Sequence, residues 1–142
     1  MRVRPVAQSL ARKPWWRRWF GNRSERAAAR FLRRLGCRIL ARNYRCPHGE
    51  LDLVAEQGGC IIFVEVRSTG GDDPERPALS VDDAKQRRLT RLALHYLRQN
   101  HLLDRPARID VITVTWPANQ REPRIDHYPQ AFEAVGRGQM FS

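Results

Sequence analysis

Lysine is nearly missing from this chain: of 26 basic residues only Lys13 and Lys85 are lysines. An arginine here can therefore stand where a relative carries lysine, which matters for any site that needs a cation. Cysteine is scarce too. Cys37, Cys46 and Cys60 form no C-x-x-C pair, and an odd, sparse set argues against a disulfide framework. It fits a reducing compartment, the cytoplasm. Cys46-Pro47-His48 has the form of half a zinc site, but no second pair stands at a suitable spacing. No apolar run approaches the ~18 residues that mark a membrane-spanning helix. The first residues carry charge without an apolar segment, which speaks against a secretory signal.

What is present is positive charge. The 142 residues carry a formal net charge of +11 and a pI near 11.1. Such a balance favours a polyanionic partner, nucleic acid before an anionic membrane surface. The length fits one domain with an ordinary core. Residues 1–20 read as a basic, Trp-rich N-terminal extension, with Trp15, Trp16 and Trp19 among cations. Such a segment suits a membrane interface, base stacking or docking on the domain.

From about Asn22 to Leu35 the pattern is helical, with Asn22 or Ser24 as cap and Gly36 as stop. Arg23, Arg26, Arg30, Arg33 and Arg34 gather on one side, a surface for phosphates. Ala28, Phe31, Leu32 and Leu35 gather on the other, with Glu25 at its edge. A glutamate there is a site candidate or simply a first-turn residue favoured by the helix dipole. Strands are expected over Cys37–Asn43, Leu51–Ala55, Cys60–Arg67 and Arg108–Thr115, with a short edge strand at Arg124–Tyr128. A loop is expected over Ser68–Leu79, a capping box at Ser80-Val81-Asp82-Asp83, and a long helix over Val81–His101. A last helical turn is expected over Pro129–Val135. The order predicts α/β architecture: one mixed sheet with helices packed on it.

The densest chemistry lies in Gly49-Glu50-Leu51-Asp52-Leu53 and Phe63-Val64-Glu65-Val66-Arg67. Strand alternation puts Glu50 and Asp52 on one face, Glu65 and Arg67 on one face, and Leu51, Leu53, Val64 and Val66 on the other. Carboxylates drawn together in a half-buried place need a compensating cation, and a metal ion is one. Two or three carboxylates holding Mg²⁺ or Mn²⁺ next to a basic side chain form a constellation for phosphodiester cleavage. Ordinary cross-strand ion pairs produce the same spacing. Lys85 falls on the apolar stripe of the long helix, where it either snorkels at the rim or brings an amine to this cluster.

These segments resemble the YraN family of bacterial proteins. The likeness runs through Gly21–Glu25, Gly36–Arg45, Gly49–Val54, Phe63–Arg67, Val81–Leu89, Arg108–Val111 and Arg124–His127. It implies a restriction-endonuclease-like domain over residues 21–142, similar to archaeal Holliday-junction resolvases and other PD-(D/E)xK nucleases. By that resemblance Asp52 and Glu65 are metal ligands, Glu25 lies near the metal, and Arg67 occupies the position of the catalytic lysine. Glu50 belongs to the family's signature as ligand, brace or supporting partner. DNA, a Mg²⁺ or Mn²⁺ cofactor and a homodimer follow by the same analogy. The family usually has Lys at Arg67 and Thr-Arg at Ser68-Thr69. Arginine keeps its proton and cannot act as a base. The site is therefore either a nuclease with a tolerated replacement or a nucleic-acid binder of the same fold.

Overall fold

The computed structural model describes residues 15–70, 83–119 and 121–131. The chain folds as α1 (Trp15–Arg34), β1 (Arg38–Cys46), β2 (Gly49–Gln57), β3 (Cys60–Gly70), α2 (Asp83–Gln99), β4 (Ala107–Trp116) and β5 (Arg124–Tyr128). The sheet runs in the order β1-β2-β3-β4-β5. β3 and β4 are parallel and every other pairing is antiparallel. A parallel pair needs a crossover, and α2 lies within it. This is the mixed α/β sheet flanked by helices that the sequence predicts.

Local chemistry sets the turns. Gln57 pairs with Cys60, so only Gly58 and Gly59 connect β2 to β3. Both have positive φ, 60° and 86°, which is why a two-glycine link fits the right-handed twist of a tight hairpin. α1 closes with Gly36 donating to the Arg33 carbonyl and Cys37 to the Leu32 carbonyl, each at 3.0 Å. This double closure needs a left-handed residue, and Gly36 (φ 94°) supplies it.

Each sheet face buries its own core. Against α1, Ala28 and Leu32 meet Leu53, Ile62, Val64, Ile112 and Val114. Against α2, Leu89, Leu92, Ala93, Tyr96 and Leu97 meet Leu51, Val54, Ile61, Phe63 and Ile109. Each large side chain so buried contributes roughly 1.5–3 kcal/mol.

Several expected boundaries move. α1 begins at Trp15, inside the basic extension, and runs unbroken past Asn22 and Ser24. Ser24 is not a cap: it is fully buried within α1, and its hydroxyl bonds instead to Trp116 of β4 and Ser68 of β3. Leu35 is 45% exposed rather than part of the apolar face, since the helix has already ended at Arg34. β3 continues through Ser68 to Gly70. Pro129 and Gln130 form a turn rather than a helix. The loop after Gly70, Ser80–Asp82 of the capping box and the chain beyond residue 131 lie outside the described residues.

The strict alternation expected for β2 fails at Asp52. Leu53 packs toward α1, whereas Leu51 packs toward α2. The partner strand turns at the same level. Arg42 pairs with Leu53 and Tyr44 with Leu51, which sets Asn43 opposite Asp52, and Asn43 has φ 50°. Both strands of the hairpin change face there.

Candidate active site

β2 pairs with β3 from Gln57 up to Leu53 and then leaves it. Asp52 is the first residue past the split. Its Oδ2 accepts a hydrogen bond from the Val66 amide at 2.8 Å, so a side chain replaces the ladder contact that β2 no longer makes. Alternation along β3 sends Val64 and Val66 toward α1 and Glu65 and Arg67 toward α2.

The Asp52 carboxyl is held well above the usual carboxylate range. Burial is the largest cause, followed by the negative charge of Glu65, with Glu25 and Glu50 adding to it; the Val66 amide opposes the shift. Four carboxylates drawn from α1, β2 and β3 thus act on one spot. An opposing cation is Lys85, whose Nζ lies 2.6 Å from Glu65 Oε2. The lysine is no rim residue. It reaches inward from the first turn of α2, and both side chains are mostly buried. Glu50 pairs loosely with the exposed Arg45, 3.7 Å away, a contact worth little at a surface. Arg67 is half-buried on the Glu65 face.

The structure therefore gathers Asp52, Glu65, Glu25, Glu50 and Lys85 electrostatically. Among the described residues no three His, Cys, Asp or Glu side chains are packed tightly enough to cage a metal. Such a cage is not what Mg²⁺ requires, because it binds through one or two carboxylates and keeps several waters. Hard oxygen donors, one of them pushed toward protonation by burial and then by its neighbours, fit that ion. They do not form a nitrogen- and sulfur-lined zinc site.

The arginines of α1 divide. Arg26, Arg30, Arg33 and Arg34 are exposed. Arg23 instead lies with its guanidinium carbon 3.7 Å over the ring of Trp116. The indole Nε1 of Trp116 donates to Ser24 Oγ at 2.9 Å, and Ser24 donates to Ser68 Oγ at 2.6 Å. This relay, buried at Trp116 and Ser24 and open at Ser68, ties the residue before Glu25 to the residue after Arg67. Nothing in the sequence flags it, because Ser24 reads as a cap.

A second buried charge escaped sequence reasoning. Asp110, fully buried in β4, meets Arg108 Nε at 3.0 Å, His127 Nε2 at 2.8 Å and the Gln130 amide at 2.9 Å. A lone aspartate in the apolar run from Ile109 to Val114 was the available signal. The cluster fastens β5 and the following turn to β4.

A mixed sheet with one parallel crossover, strand-borne carboxylates and a helix-borne lysine defines the class: an α/β domain with an acidic cluster at the split of its sheet. More particularly, residues 24–114 match the model described as "Uncharacterised protein family UPF0102", and the chain belongs to this family, that of YraN. It is 44% identical over 119 residues to a UPF0102 protein of Rhodopirellula baltica, covering 82% of this chain and 71% of that one. To the Myxococcus xanthus member it is 45% identical over 125 residues, 85% and 94% of the two chains. To that of Pelotomaculum thermopropionicum it is 40% identical over 116 residues, 82% and 97%. Among solved structures it is similar to Pyrococcus furiosus SfsA in complex with Ca²⁺, at 18% identity and a TM-score of 0.34, covering 72% of this chain and 58% of that chain. No helix among the described residues is long and apolar enough to cross a membrane.

Proposed function

We propose that this protein is a metal-dependent nuclease that hydrolyses phosphodiesters in DNA, with branched or single-stranded forms as its substrates. The observation that carries this reading is the Asp52 carboxyl, whose charged form is disfavoured first by burial and then by the negative charge of Glu65, with Glu25 and Glu50 adding to it. Such a cluster is costly to maintain without a cation. In this reading Asp52 and Glu65 hold Mg²⁺ or Mn²⁺, with Glu25 beside them and Glu50 in support. An ion held there would supply charge to offset the phosphate and a more acidic water as nucleophile. Lys85, anchored on Glu65, holds a proton-bearing amine beside the reacting phosphate. Arg67, permanently charged, orients a phosphate oxygen and does not abstract a proton. Arg26, Arg30, Arg33 and Arg34 grip the flanking backbone, with Arg23 stiffened against Trp116. The chain acts in the cytoplasm, as a homodimer by analogy with resolvases.

One observation favours a second reading, a nucleic-acid binder that does not cut. The Lys85 ammonium already supplies a cation to Glu65. Cleavage of labelled branched and single-stranded DNA with Mg²⁺, Mn²⁺ or EDTA separates the two. The nuclease reading expects metal-dependent cutting that Asp52→Ala and Glu65→Ala each abolish. Cutting in EDTA, or cutting untouched by both changes, refutes it. Salt-sensitive binding with no heat of Mn²⁺ association supports the binder instead.

A further inference from the structure

A ladder of aromatic rings climbs from the α2-side core to the tip of the first hairpin. Phe63, in the core, meets Tyr96 edge-on at 5.7 Å, and Tyr96 meets Tyr44 edge-on at 5.1 Å. The Tyr44 hydroxyl shares a 2.7 Å hydrogen bond with His95 Nδ1. His95 then meets His48 at 5.6 Å with the rings 70° apart. The ladder ends in the open, for His48 is exposed.

The tip that carries His48 is fixed rather than loose. Cys46 pairs with Gly49, so only Pro47 and His48 make the turn. The Gly49 backbone lies against the side chains of Arg88 and Leu92 of α2. Its φ of 132° is one that a side chain would strain. Arg45, next to the closing Cys46–Gly49 pair, and Arg88, whose side chain meets Gly49, are both exposed. A rigid exposed ring flanked by guanidinium groups is what proteins use to hold an unpaired base, the ring taking the base face and the cations the phosphates.

We propose that His48, braced by His95 and Tyr44, is a stacking site for an unpaired nucleobase, so that the substrate class is nucleic acid with a single-stranded segment. The inference rests on the nucleic-acid reading above and deepens it. From His48 to Asp52 is four residues of extended chain, roughly 13 Å. A base held at the tip would leave its own strand, a few nucleotides on, at the carboxylates.

The test is fluorescence anisotropy without added metal, so that binding is read apart from cutting. The probes are a labelled single-stranded oligothymidine, an abasic strand of equal length and charge, and a blunt duplex. The wild-type protein should bind oligothymidine more tightly than the abasic strand. His48→Ala should weaken oligothymidine binding by roughly 5–100-fold and leave the abasic strand unchanged, the range for one lost base stack. His48→Trp should restore or exceed wild-type binding. Equal effects of His48→Ala on both strands, or none on either, overturn the stacking site, as does failure of His48→Trp to recover. Preference for the blunt duplex overturns it as well. If no probe binds, both this site and the nucleic-acid reading fall. If base-selective binding holds but no metal supports cutting, only the nuclease reading falls.

Discussion

Replacing Asp52 by asparagine should make the metal-free protein more stable at neutral pH. Asparagine keeps the shape and, through its amide oxygen, still accepts the Val66 amide that Asp52 holds at 2.8 Å. What it removes is a charge that burial and three neighbouring glutamates oppose. The sign follows from linkage. The folded-state pKa of Asp52 is raised above its ordinary value of 3.8. Its favourable contribution is complete below that value and is lost as pH rises through the raised one. Each unit of elevation costs about 1.4 kcal/mol once the group is forced to ionise. A buried polar group without a matching partner costs about 1–3 kcal/mol. For a chain of 142 residues, 1 kcal/mol moves the melting temperature by roughly 3–4 °C. Asp52→Asn should thus melt about 3–12 °C above the wild type at pH 8 in EDTA. The gap should close near pH 4, where the carboxyl is neutral. Thermal unfolding followed by circular dichroism across that range, with and without Mn²⁺, reads the whole pattern. Mn²⁺ at about a hundred times its dissociation constant should raise wild-type stability by about 2.7 kcal/mol and leave the variant unmoved. A variant less stable than wild type at pH 8, or a gap that ignores pH, would refute the reasoning.

Asp110→Asn should be strongly destabilising, by about 3–5 kcal/mol. It leaves Arg108 facing a neutral amide in a part-buried place, and the drop is readable as a lower urea midpoint with an unchanged slope. Ser24→Ala should cost about 1–3 kcal/mol, because the Trp116 indole loses its acceptor and Ser68 its donor. Trp116 fluorescence in the folded state should change with it.

The sheet was legible because its signals are local. Period-two alternation between turn-forming residues gives β5 its bounds, and the two glycines at 58–59 give the β2–β3 hairpin. Recurring leucines gave α2 its buried stripe. The misreadings near the site concern residues whose behaviour depends on distant partners. Ser24 carries the chemistry of a cap, yet is satisfied by Trp116, 92 residues away. Lys85 has the geometry of a snorkelling residue until β3 presents Glu65 to it. Leu51 obeys alternation on paper, but the split of β2 from β3 turns it over. Asp52, Glu65 and Glu25 were visible as candidates from spacing and resemblance. What spacing could not supply is that Asp52 substitutes for a missing ladder bond.

The change of face at Asn43 and Asp52 also divides the hairpin dynamically. Below it, β2 is laced on both sides; above it, β2 touches β1 alone and leans on α2. Amide hydrogen exchange should therefore find Leu53–Ala55 among the slowest positions in the sheet, with Glu50 and Leu51 somewhat less protected. Asp52 stands on that boundary, so a shift of the α2-braced tip as one body would reposition its carboxylate and leave the rest of the sheet intact.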